Sequence, residues 1–115
     1  MLLFERLTET KDYWVNTICE GLDDKADLIW SEVEAEYEIL QKKLTSLEER
    51  EAYQKVVDEV IKGVMHSILV MIDGGDELAD RILLDLIERD SRKSLSIQTA
   101  LHEKFFGYLL DKEIE

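Results

Sequence analysis

The residues with the most obvious capacity for chemistry are acids. Between Glu20 and Glu38 there are eight carboxylates, Glu20, Asp23, Asp24, Asp27, Glu32, Glu34, Glu36 and Glu38, against one basic residue, Lys25. On a helix, Asp27, Glu34 and Glu38 would share an outer face, with Glu32 and Glu36 on a neighbouring one. Like charges one turn apart weaken a helix by a few tenths of a kcal/mol per pair. A field of one sign also steers a partner of the opposite sign. Asp23, Asp24, Asp27, Glu34 and Glu38 are therefore the candidate contacts for a basic protein.

Paired carboxylates can instead hold Mg²⁺ through oxygen ligands when they stand one helical turn apart. Glu32 and Glu36 have that spacing, and Glu77 and Asp80 are three residues apart. The segment Asp76-Glu77-Leu78-Ala79-Asp80 resembles the second acidic motif of the all-α nucleoside-triphosphate pyrophosphohydrolases of the MazG type. That resemblance implies a Mg²⁺-dependent hydrolase with Glu32, Glu36, Glu77 and Asp80 as ligands. The family's Glu-Glu-x-x-Glu partner motif has no counterpart in Glu32-Val33-Glu34-Ala35-Glu36, which lacks the adjacent pair. The preferred reading carries no cofactor, and a helical adaptor is the third alternative.

Other chemistry is thinly represented. Cys19 lies among Val15, Ile18 and Leu22 and reads as a small buried hydrophobe. A lone thiol points to a reducing compartment. His66 falls in an apolar stretch and reads as a core histidine, without the Glu-x-x-His or His-x-x-x-His spacing of a metal site. His102, with Gln98 and Phe106 a turn away, is expected to be exposed or partly packed. Asp73-Gly74-Gly75-Asp76-Glu77 lacks the alternating acids of an EF-hand loop and reads as a helix stop followed by a cap. No phosphate loop, nucleophile elbow or dinucleotide fingerprint occurs.

The elements that must position these groups are helical. The 115 residues are 45% hydrophobic and include no proline, which suits one helical domain spanning 1–115. Leu3, Leu7, Trp14 and Ile18 predict a first helix, with a break near Thr8 to Thr10 and Gly21 as its stop. Ala26, Trp30, Val33, Tyr37, Leu40, Leu44 and Leu47 form a heptad seam that predicts a helix over 24–45. Ser46 and Glu49 make a capping box that opens a helix over 47–72, antiparallel to the one before it. Its apolar end, Val60 to Ile72, is expected to be the most buried part of the fold.

Residues 77–95 admit two readings. Ala79, Ile82, Leu83, Leu86 and Ile87 fit a short amphipathic helix. They also fit a strand from Ile82 to Ile87, turning at Arg89-Asp90-Ser91-Arg92 into a second one that ends at Leu95. The polar stretch from Glu88 to Ser94 favours a short β-hairpin near 82–95. A last helix over Ser96 to Lys112 carries Ile97, Leu101, Phe105, Tyr108 and Leu109 on one face, capped by Ser96 or Thr99. The fold class is thus mostly α, an antiparallel bundle of about four helices.

The formal charge of −13, from 27 acids and 14 bases, disfavours nucleic acids and anionic membranes. The first residues lack the basic region of a signal peptide, and no apolar run is long enough to span a bilayer. A cytoplasmic location is expected, with self-association left open. Met71-Ile72-Asp73-Gly74-Gly75, Leu84-Asp85-Leu86-Ile87 and Leu101-His102-Glu103-Lys104-Phe105-Phe106-Gly107-Tyr108-Leu109 resemble stretches of small, acidic, uncharacterised bacterial proteins. The resemblance covers roughly the last fifty residues. It implies a bacterial source and an immunity- or antitoxin-type role beside a toxin. Inhibitors of that type sequester a basic protein such as a nuclease by presenting carboxylates where phosphate would bind.

Overall fold

The computed structural model describes residues 1–28 and 32–114. The protein is mostly α-helical, with four α-helices among the described residues: α1 (Leu2–Glu20), α2 (Glu34–Lys43), α3 (Leu47–Ile72) and α4 (Leu101–Ile114). A short 3-10 turn, Glu77–Asp80, follows α3. Two compact units divide the chain, Met1–Ile61 and Lys62–Glu115, with α3 contributing to each. Among the described residues, no helix is long and apolar enough to cross a membrane.

In the first unit, α1 is continuous. Thr8 and Thr10 do not break it, because each hydroxyl donates to the carbonyl one turn back, Thr8 to Phe4 at 2.9 Å and Thr10 to Arg6 at 2.8 Å. The buried face of α1 runs through Phe4, Lys11 and Val15 and on to Leu22. This stripe is offset from the expected one, and Trp14 remains 40% exposed. A lysine in the seam is what hid it. Gly21 keeps ordinary right-handed geometry at φ −65°. Its requirement for glycine is one of space, since a Cβ there would lie 2.6 Å from Cε1 of Tyr37.

The expected helix over 24–45 is corrected to α2, ten residues long. The Asp23 carboxylate accepts from the Lys25 amide at 3.0 Å and its carbonyl from the Ala26 amide at 3.0 Å, a local turn that competes with helix. The heptad phase is therefore not carried from Ala26 to Leu47. Tyr37 is buried, Val33 and Leu47 are exposed, and Trp30 lies outside the described residues. Arg50 ties the loops together by donating to the carbonyls of Leu44 at 2.9 Å and Leu22 at 3.2 Å.

The start of α3 follows the sequence closely. Ser46 Oγ accepts from the Glu49 amide at 3.1 Å, while Glu49 Oε1 accepts from the amides of Ser46 at 2.9 Å and Thr45 at 3.1 Å. Its far end is less buried than its composition suggests. Leu69 is buried, but Val60, Val64 and Ile68 are 58%, 54% and 46% exposed. Apolar composition all round a helix allows burial of any face, and it does not require burial of every face.

The core of the second unit is Leu69, Leu101 and Phe105. Gly74 takes the left-handed backbone, φ 77°, that ends α3, and Asp76 Oδ1 caps the 3-10 turn by accepting from the Leu78 amide at 2.9 Å. The hairpin is reduced to one antiparallel bridge, Ile87 with Ser94, around a turn in which Arg92 has φ 63°. The Ser94 and Ser96 hydroxyls are engaged beside Asp85, Ser94 donating to it at 2.7 Å. The cap expected of Ser96 is supplied instead by Asp73.

Candidate functional site

Four of the five predicted partner-binding acids come together. Asp24 and Asp27, from the irregular segment after α1, and Glu34 and Glu38, one turn apart at the start of α2, line a single open hollow of about 300 Å³. All four are exposed. The local sequence explains the arrangement. Residues 26–28 are not helical, so Asp27 stands in a loop and not along α2. Gln41 fixes the turn by donating to the carbonyls of Gly21 at 2.9 Å and Asp23 at 3.1 Å.

Asp23 does not line the hollow. Its carboxylate is bound to the Lys25 amide, which holds its pKa below the ordinary aspartate range. The shared helical face proposed for Asp27, Glu34 and Glu38 is therefore replaced by a cluster built from a loop and a helix start. The acids converge all the same, and Glu34 and Glu36 also suit the positive end of the α2 dipole.

A second hollow of about 400 Å³ adjoins the first and shares Ala26, Asp27 and Leu28 with it. Tyr13, 56% exposed, and the edge of Tyr37 help to line it. Tyr37 itself is anchored by its hydroxyl, which donates to the Ile18 carbonyl at 3.2 Å. Carboxylates beside an aromatic and aliphatic wall suit a long cationic side chain, whose methylenes lie on the wall while its head meets the acids.

The residues of the magnesium alternative are placed differently. Glu32 stands in the turn ahead of α2 and Glu36 within its first turn, so they do not share the helix that their spacing assumes. Glu77 and Asp80 lie on the 3-10 turn of the second unit. Among the described residues, no three His, Cys, Asp or Glu side chains gather in a way that could hold a metal.

The sequence reading missed two buried charges. The ammonium of Lys11, only 8% exposed, sits 2.6 Å from Asp58 Oδ1 and 2.7 Å from Asp12 Oδ1. Burial favours its neutral form, but hydrogen bonds to Asp12 and Asp58 outweigh that and raise its pKa. Asp73, 4% exposed, accepts from both the backbone N–H and ring Nδ1 of His102, at 2.9 and 2.7 Å. Burial pushes the Asp73 carboxyl up, yet the amide and ring of His102 hold it below the usual range. His66, expected in the core, is half-buried and meets the His102 ring edge to face. Burial raises the pKa of the Cys19 thiol, which makes it a poor nucleophile.

Set against protein-family models, curated proteins and solved structures, the chain matches none.

Proposed function

We propose that this protein binds a basic protein partner and acts as an acidic inhibitor of the immunity or antitoxin type, sequestering a cationic enzyme such as a nuclease toxin in the bacterial cytoplasm. The observation that supports this reading is the convergence of Asp24, Asp27, Glu34 and Glu38 on one open hollow beside an aromatic wall. Four carboxylates within one concavity concentrate negative charge where a cationic group can enter, and a charge of −13 accelerates the approach of a cation. The Tyr13 wall adds apolar contact area next to the charges, the usual make-up of a binding hot spot.

The test is affinity capture from lysate of the source cell at low and at moderate salt, followed by titration of the retained protein. The variant Asp27→Asn, Glu34→Gln, Glu38→Gln removes three charges without shortening a side chain. Its affinity for a basic partner should fall at least tenfold, and the salt dependence of binding should flatten. Unchanged affinity and unchanged salt dependence in that variant would remove the hollow from consideration.

A further inference from the structure

The longest helix leaves a row of aliphatic side chains in solvent. On α3, Val56, Val60, Val64 and Ile68 are all exposed, whereas Val57, Ile61 and Leu69 are half-buried or buried. We propose that this row is the contact through which two copies of the chain pair, α3 against α3, in a weak homodimer that salt promotes.

Residues four apart lie nearly in line on a helix, so the four side chains form one continuous ridge. A ridge of this kind packs into the groove beside the same ridge of a second helix, at a crossing angle of about −50°. That packing requires an open groove. The row that borders it on α3 is Glu59, Gly63 and Ser67, and all three are exposed. A Cβ placed on Gly63 would meet nothing within 4 Å among the described residues. Glycine weakens the middle of a helix, and no crowding within the chain calls for it at this position. The close approach of a second helix does call for it.

Charge selects a second copy over the basic partner that suits the acidic hollow. From Ala52 to Ile72 the acids Asp58 and Glu59 are balanced by Lys55 and Lys62, so the net charge of −13 resides elsewhere in the chain. A basic protein gains no attraction from a neutral aliphatic ridge, whereas two copies meet there with the least repulsion. The exposed charges beside the ridge, Lys55 and Glu59, are of opposite sign. A face that carries one of each can match itself across a twofold axis.

A single ridge without an aromatic anchor belongs to the small, transient class of interface, so association is to be followed up to about 1 mM chain. The experiment is sedimentation equilibrium of the full chain at low and at moderate salt. Dimer should form as concentration rises, and its share should grow with salt. Added ions screen the repulsion between two chains of charge −13 and leave the apolar contact in place. Binding at the acidic hollow responds to salt with the opposite sign, so the same buffers tell the two surfaces apart.

Val60→Glu should weaken dimerisation at least tenfold. Gly63→Gln, which fills the groove where its own chain leaves room, should do the same. Leu83→Glu, at a still more exposed apolar position off α3, should leave the dimer unchanged. Circular dichroism checks that each variant keeps its helices, and if Val60→Glu fails to fold, Gly63→Gln decides alone. The proposal is overturned by a chain that stays monomeric throughout, by a dimer that dissociates as salt rises, or by one that both α3 variants leave intact. Equal loss of the dimer in Leu83→Glu would place the contact elsewhere and overturn it too.

Discussion

Each unit buries one charge, and the two solve the problem in opposite ways. In the first, a cation is enclosed in an acidic protein: Lys11 occupies a core position of α1 and is met by Asp58 and Asp12. In the second, an anion is enclosed: Asp73 takes the first turn of α4 and the ring of His102. Lys11 spends its charge on two carboxylates, one of them 57% exposed. Asp73 has Oδ2 doubly engaged by His102, and the Leu101 amide also helps to hold its carboxyl below the usual pKa range. The first arrangement is an ion cluster whose cation is buried and whose acids reach toward solvent. The second is a cap on the start of α4 that also holds a ring in place.

The comparison can be broken most forcefully at Lys11. Lys11→Ala strips both the charge and the stem from a core position, and should cost about 3–5 kcal/mol in urea unfolding. Lys11→Met keeps the apolar length, and should recover most of that loss, because apolar packing often replaces a buried ion pair at little cost. A Met variant as unstable as the Ala variant would show that the charge, not the stem, holds this part of α1.

Asp73→Asn should cost about 1.5–3 kcal/mol near neutral pH, the scale of hydrogen bonds to a charged group. Its pH dependence sharpens the contrast. Since the folded-state pKa of Asp73 is lowered, its contribution is complete above the unfolded value of about 3.9 and is lost as pH falls through the folded value. Urea midpoints of wild type and variant should therefore lie furthest apart above about pH 5 and draw together below about pH 4. A gap that stays constant across this range would mean that the amide serves as well as the carboxylate.

The smallest effect is expected at Asp12. Its carboxylate is more than half exposed, so Asp12→Asn should change stability by less than about 1 kcal/mol. A larger loss would show that Lys11 depends on both acids equally, and not mainly on the more buried Asp58.

Features specified within a few residues were legible in the sequence. The capping box of α3 and the Asp76 cap follow from side chains reaching nearby backbone, and the left-handed Gly74 from the lack of a Cβ, so the bounds of α3 could be read locally. The acidic residues of the hollow were legible by type, and Asp27, Glu34 and Glu38 were expected on one helical face. Their meeting through a loop and a helix start was not legible. It depends on α2 starting at Glu34, later than the heptad pattern predicts. Lys11 and the Asp73–His102 pair were illegible for a different reason. Their partners lie 47 and 29 positions away, and hydrophobic periodicity carries no record of polar contacts at that range. The excess burial expected of Val60 to Ile72 failed because composition names the residues able to be covered, whereas neighbours decide which are.

The capping box of α3 has a consequence for how the chain folds. Helix formation is limited by its first turn, where several dihedral angles must be fixed for one hydrogen bond. Thr45, Ser46 and Glu49 supply three more bonds to that turn from within five residues, with no help from any distant segment. The barrier to nucleation is thereby lowered at one defined point in the middle of the chain. Such a segment can sample its helix on the sub-microsecond scale of local transitions, ahead of the slower search by which Lys11 finds Asp58 and Asp73 finds His102.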